Sequence, residues 1–516
     1  MISVMDAHDR AVSSISSTVQ AFYARQRPFR IYHGSTNSTR KTAFQRSQMV
    51  DTSGLTHVLG IDIEKKTALV EPNVPMDALV EATLKYEFLP PVVPEFPGIT
   101  VGGAMAGTAG ESSSFKYGFF DRTVNWIEIV LATGEVVTAS RTEKADLFYG
   151  TASSFGTLGV TTLLELQLIP AKAYVKLEYY AVPDILSARK LIDRFSKDNT
   201  VDYLDGIMFA KDDGVICSGK LVDGPEDSNG AIQRFSRARD PWFYINASRL
   251  PFNLGKSGIP ITEYVPVVDY LFRYDRGGFW VGRYAFTYFI TPFNQVTRFL
   301  LDYCMHTRVM YHALHKSGLS NMYIIQDVAI PYPKIEKFME YLDEEFKQYP
   351  IWICPLKQTG RNASIHGLQT ARTQKELPEL MLNFGVWGPG PKQRREFVMW
   401  NRRFERKVQE LGGQKWLYAQ AYYTEEEFDE IYKKDAYDKL REKYGARYLP
   451  SVYDKVKVDV EGEGKAIRES WRLWFWTMFW SIWPLAGLYG VYKVLRGGDY
   501  LLARKEKIAV PGKKEM

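Results

Sequence analysis

The spacing of apolar and polar positions changes several times along the chain, and each change predicts an element. Val12, Ile15, Val19 and Phe22 recur every three or four residues, the spacing of one helical face, so the first thirty residues should hold an amphipathic helix packed on the first domain. Acidic Asp6 and Asp9 stand where a basic leader would lie, and no continuous apolar run comes after them, which argues against a secretory signal. From Arg30 to Pro170 short β-branched runs alternate with helical ones. THVLGIDIEKKTALVEPNV reads as two strands about a turn, and PMDALVEATLKYEF as a helix opened by Pro75 and Asp77. WIEIVLATGEVVTAS reads as a hairpin turning at Thr133-Gly134, and TLGVTTLLELQLIPA as a further strand. From Ala171 to Leu411 strand-like and helix-like stretches alternate in a region rich in Tyr, Phe and Trp. Beyond it WLYAQAYY reads as a strand and TEEEFDEIYKKDAYDKLREKY as a helix. The division expected is 1–170, 171–411, 412–460 and 461–516.

The last part breaks the pattern. Leu473 to Tyr492 carries no charge, with Trp471, Trp474, Trp476, Trp480 and Trp483 in or beside it and Pro484 in its middle. Twenty apolar residues would cross a bilayer core as a helix, but indole prefers the headgroup boundary and proline kinks a helix. Lys493 to Met516 holds seven Lys or Arg against three Asp or Glu, a flank suited to an anionic cytosolic leaflet. The expectation is a bent, monotopic or re-entrant membrane anchor with both ends cytosolic. A helix buried against a partner subunit is the other reading.

Composition adds exclusions. With 45% apolar and 24% charged residues the chain is globular, and a net charge of +6 over 516 residues gives no argument for nucleic acid. Cys217, Cys304 and Cys354 are odd in number and far apart, so neither a disulfide framework nor a zinc knuckle is expected. His306, His312 and His315 are near helical spacing without a carboxylate or thiol set beside them, so no metal is expected.

Two clusters of small residues suggest a cofactor. Gly34, Ser35, Thr36, Asn37, Ser38 and Thr39, followed by Arg40 and Lys41, offer backbone and hydroxyl donors to an anion, although a polar surface loop has the same composition. The second, PEFPGITVGGAMAGTAGESSSFKYG from Pro94, places Gly98, Gly102, Gly103, Gly107 and Gly110 among alanines. So many missing side chains cost backbone entropy on folding, and close approach of backbone to a large flat or phosphorylated ligand explains them better than a linker does.

These segments, with TVNWIEIVLATGEVV and ADLFYGTASSFGTLGVTT, resemble the FAD-binding domain of the vanillyl-alcohol oxidase and p-cresol methylhydroxylase superfamily. PVVPEFPGITVGGAMAGTAGESSSFKYG, PAKAYVKLEYY, QYPIWICPL and KWLYAQAYYTEEEF resemble the Δ24-sterol reductases within it, over about Val12 to Lys457. The resemblance implies an α+β, two-part flavin-binding fold with an α/β cap, and noncovalent FAD, with His33 a loop residue. It maps the pyrophosphate onto Gly34–Thr39, and the ring and ribityl chain onto Thr100, Val101, Gly102, Gly103, Ala104, Met105, Ala106, Gly107, Thr108, Ala109, Gly110, Glu111, Ser112 and Ser113. Thr123, Gly159 and Val160 support them. The resemblance further implies NADPH as reductant, a sterol substrate, and an endoplasmic reticulum membrane location with the catalytic part facing the cytosol; a homodimer is allowed for. Animal members carry an N-terminal hydrophobic segment, which the first residues here lack.

The implied reaction reduces an isolated trisubstituted alkene. With no adjacent carbonyl to polarise it, protonation has to lead or accompany hydride delivery, the proton going to C24 and the hydride to C25, which better bears positive charge. Tyr418 and Tyr422, four apart on the expected strand and so on one face, are the acid candidates; packing in a core is the alternative. Tyr264, Tyr270, Tyr274, Phe279 and Trp280 could line a sterol slot or form a cap core. Arg273, Arg276 and Arg283 could meet the NADPH phosphates. An oxidase or cyclase acting on another terpenoid or polyketide is the competing function, since one fold hosts many chemistries.

Overall fold

The structure, a computed structural model, describes residues 4–33, 46–225, 231–254, 260–358, 380–432, 434–459, 462, 470, 471, 475, 478–480 and 482–497. Gly34–Thr39, the expected pyrophosphate loop, therefore lies outside the described residues.

The first region forms as its periodicity predicts. A helix spans Val4–Ala24 and buries Val12, Ile15 and Val19. It packs on a five-stranded antiparallel sheet ordered Val58–Asp62, Thr67–Val70, Gly159–Gln167, Val124–Leu131, Val136–Ser140. Gly134 turns the last hairpin with φ +92°, a conformation glycine adopts at no steric cost. The helix Met76–Leu84 starts after Pro75, as expected.

The second region is built on an eight-stranded antiparallel sheet. Its order is Ile261–Pro266, Tyr174–Val182, Asp213–Val222, Tyr203–Ala210, Ile351–Lys357, Leu380–Pro389, Tyr323–Pro331, Gln414–Lys415. Side chains alternate across it, as period two requires. Ile353, Leu382, Phe384, Val328 and Ile330 pack with Ile192, Phe338, Phe397 and Phe404 from helices on one face. Trp352, Cys354, Leu356, Met381 and Trp387 join the other core, which faces the glycine-rich segment.

WLYAQAYY does not form the expected strand. Only Gln414–Lys415 pair in the sheet, and a turn follows at Leu417–Tyr418. Side chains satisfy the backbone there in place of a ladder: buried Glu405 accepts the Tyr422 N–H at 3.0 Å, and buried Lys415 donates to the Gln420 carbonyl at 2.5 Å. The expected single helix after it is two, Glu425–Ile431 and Lys434–Lys443, because Tyr432 is extended between them. This segment returns to the first sheet's side: Tyr448 Oη donates to the Ala132 carbonyl at 2.6 Å and Lys455 Nζ to that of Phe155 at 2.6 Å.

Among the described residues no helix is long and apolar enough to cross a membrane; of the expected bent or re-entrant anchor, residues 473, 474, 476, 477 and 481 lie outside the described residues. The chain turns at Ile482–Pro484 and continues as the helix Leu485–Gly497, which packs on the helix Thr307–Ser317. The two approach so closely that a Cβ on Gly490 would lie 2.4 Å from the Ala313 carbonyl oxygen. Trp483 Nε1 donates to the Tyr288 carbonyl at 2.6 Å.

Candidate active site

A cavity of about 440 Å³ lies between the glycine-rich segment and the second sheet. Its first wall is backbone. Thr100 caps the short helix Val101–Ala106, its hydroxyl accepting the Gly103 N–H at 3.2 Å. A Cβ on Gly102 would stand 2.7 Å from Pro72 Cβ, so glycine lets this segment lie flat against the chain behind it. Of the residues mapped onto the flavin, Thr100, Gly102, Gly103, Ala104, Met105, Ala106, Gly107, Ala109, Gly110 and Gly159 line the cavity. Val101, Thr108, Glu111, Ser112, Ser113, Thr123 and Val160 are buried behind it; Thr108 holds the wall, its carbonyl accepting the Trp416 indole N–H at 2.9 Å.

The opposite wall is aromatic. Phe279, Tyr311, Trp352, Trp387, Trp416 and Tyr418 line it. Phe279 reaches the cavity because Gly277, Gly278 and Phe279 all have positive φ, at +84°, +50° and +61°. A Cβ on Gly277 would lie 2.5 Å from the Trp242 ring, and the left-handed Phe279 is the kind of backbone strain found at functional sites. Tyr274 stacks beneath it at 3.9 Å between ring centroids.

Of the five residues assigned to a sterol slot, Phe279 alone lines the cavity. Tyr264 is buried in its strand, Tyr270 packs on Tyr203, Tyr274 donates to Asp205 at 2.9 Å, and Trp280 donates to the Trp387 carbonyl at 3.0 Å. They form the layer behind the cavity, held there by packing and by hydrogen-bond partners. Tyr418 lines the cavity, whereas Tyr422 does not: it is buried against Phe397, its hydroxyl on Gln420. The turn that replaces the expected strand separates them. Arg273 and Arg276 are not surface groups. Arg273 pairs with Asp205 at 2.7 Å and Arg276 with Asp302 at 2.7 Å, each 2% exposed or less; Arg283 is exposed.

The polar centre of this wall belongs to no motif of the sequence. Asp327 accepts from Asn383 Nδ2 at 3.0 Å, Trp387 Nε1 at 3.3 Å and the Tyr418 hydroxyl. Burial raises its carboxyl and these bonds lower it, leaving it at about 6. Its one signal was a lone acid in the strand YIIQDVAIP. Burial raises Tyr418 well above the ordinary phenol range, and the Asp327 charge adds to it.

The residues fit a flavin. The wall from Gly98 to Gly110 offers backbone and small side chains to a flat ring, and the buried Nδ1 of His33, a cavity residue, has no hydrogen-bond partner.

A family profile described as FAD binding domain matches residues 10–140. Relatives include the Delta(24)-sterol reductase of Arabidopsis thaliana, 32% identical over 450 residues, covering 82% of this chain and 78% of that protein. The Delta(24)-sterol reductase of Pisum sativum is 31% identical over 459 residues, 82% and 78% of the two chains. That of Homo sapiens is 29% identical over 415 residues, 78% and 76%.

Proposed function

The chain belongs to the Delta(24)-sterol reductase family, and from that premise we propose that it is an FAD-dependent oxidoreductase that reduces the C24–C25 double bond of a sterol side chain. The observation that carries this reading is a cavity bounded by a backbone wall on one side and an aromatic wall on the other. When bound and reduced, FAD would supply the hydride, which carries both electrons of the reduction. The chain's own residues do the rest. Phe279, Trp352 and Trp387 exclude water from an apolar side chain and present ring faces to positive charge developing at C25. Asp327 adds a fixed negative charge in the same low-dielectric space. Tyr418, its hydroxyl on Asp327, is the polar group that positions this carboxylate; a phenol whose proton is already shared with an anion is a poor proton source.

NADPH is the reductant we propose, docking transiently at the same cleft. Of the three arginines expected to meet its phosphates, Arg273 and Arg276 are buried in ion pairs, and Arg283 is exposed but does not line the cavity. Membrane attachment is proposed through the surface around the C-terminal helix, where Trp471, Phe475, Ile482, Trp483, Leu488 and Leu495 are exposed. An endoplasmic reticulum location with the flavin site facing the cytosol accords with that attachment and with the basic tail.

The test is product analysis. Holoenzyme incubated with NADPH and a sterol bearing a C24–C25 double bond should yield a sterol two hydrogens heavier, saturated at that bond. An unchanged sterol with consumption of O₂ would favour an oxidase.

A further inference from the structure

The cavity holds a second acid that no expectation assigned. Glu95, between Pro94 and Phe96 at the start of the glycine-rich segment, lines the cavity at 8% exposure, and its Oε1 has no hydrogen-bond partner. Two more carboxyls are its electrostatic neighbours, and both are engaged. Glu111 accepts from the Ser112 hydroxyl at 2.8 Å, the Ser113 N–H at 2.9 Å and the Ser113 hydroxyl. Asp205 accepts from Arg273 at 2.7 Å, Tyr274 at 2.9 Å and Trp352 at 3.0 Å. Arg273 is the nearby guanidinium, and Asp205 takes its ion pair. A buried carboxylate with an oxygen that lacks a donor, and whose nearby guanidinium is paired with another acid, is expensive, and such a group keeps its proton instead. Burial and the Glu111 charge accordingly raise Glu95 well above the carboxylate range, against the lowering pull of Arg273 and of its own backbone N–H.

Asp327, on the same cavity, has the opposite surroundings: Asn383, Trp387 and Tyr418 all donate to it, which favours its anion. Two carboxyls on one cavity with environments that push their protonation apart mark an acid and its counterpart.

Resting on the reductase reading, we propose that Glu95 is the catalytic acid of this site, delivering its carboxyl proton to C24 of the alkene. The proton on Glu95 and the hydride supplied by reduced flavin together add two hydrogens across C24–C25. The C–H bond at C24 forms as the O–H bond of Glu95 breaks, and the Glu95 carboxylate left behind regains a proton from water. Asp327 remains an anion throughout and faces the developing cation.

The experiment uses holoenzyme reduced anaerobically with dithionite, which removes the question of the natural donor, and then mixed with a Δ24 sterol. Glu95→Gln should retain its flavin and its reduction, while sterol-dependent reoxidation falls by ~10²–10⁴; Glu95→Asp, still an acid, should recover part of that rate. Independently of turnover, the infrared difference spectrum of wild type minus Glu95→Gln at neutral pH should contain a protonated-carboxyl carbonyl band that shifts in D₂O. Reoxidation of Glu95→Gln within about twofold of wild type, far short of an acid catalyst's contribution, overturns the proposal, and so does absence of the band. If wild type itself is not reoxidised by the sterol while the band is present, the reductase reading fails, and Glu95→Asp must then keep the band for the protonated acid to stand. If Glu95→Gln does not fold, Glu95→Asp against wild type decides by the same two readouts.

Discussion

At the residue scale the site depends on which of its buried groups carry charge. Asp327 sits at about 6, so its anion is present above that pH and is lost as pH falls through it. Because the anion is the form that faces developing positive charge, the sterol-dependent rate should fall on the acid side with a midpoint near that value. Asp327→Asn keeps the shape, removes the charge and should abolish that limb while lowering the rate by ~10²-fold, the scale of one preorganised electrostatic group. A pH profile of single-turnover flavin reoxidation checks both; an unchanged acid limb in the variant would assign the titration elsewhere. What made Asp327 invisible in the sequence is that its partners come from two other segments, Asn383 and Trp387 through the sheet register and Tyr418 through the turn after Lys415.

At the element scale the flavin-side helices and strands were legible because their apolar spacing matched one-sided burial, as in Val12, Ile15 and Val19. The Tyr418 segment was not, because apolar alternation in WLYAQAYY is the same for a strand and for a buried turn whose peptides bond to Glu405 and Lys415. The glycine cluster identified a wall of the cavity, but which side chains lie in front of it and which behind depends on the path of a short helix. The N-terminal helix carries a testable pH dependence. His8 bridges Glu71 at 2.8 Å and Glu128 at 3.3 Å. Burial lowers its pKa, but the bonds to Glu128 and Glu71 outweigh that and lift it from 6.5 to about 9. A folded value above the unfolded one stabilises fully below pH 6.5, and the contribution is lost as pH rises through about 9. Amide exchange over residues 4–24 should therefore quicken, relative to its intrinsic rate, between those limits, and His8→Gln should flatten the change. Protection that stays constant in wild type would count against the bridge.

At the scale of the whole molecule, one helix links the cavity to the proposed membrane surface. Thr307–Ser317 supplies Tyr311 to the cavity wall and receives the C-terminal helix through Val309 and Ala313. Aspartate in place of exposed Trp483, Leu488 and Leu495 should reduce flotation with anionic liposomes severalfold while leaving bound FAD unchanged; equal flotation would place membrane contact elsewhere. The sequence marked this segment as unusual from its uncharged run, but its partner, the surface around Tyr288 and Ala313, is nearly two hundred residues away and has no pattern in common with it.

Whether this cavity reduces a sterol alkene is decided by anaerobic stopped-flow absorbance of the flavin, with reduced holoenzyme mixed with a sterol bearing the C24–C25 double bond. Visible flavin absorbance should return in a sterol-dependent phase, with one saturated sterol formed per flavin reoxidised. A flavin that stays reduced with the sterol and is reoxidised only on admission of O₂ would contradict the reductase assignment.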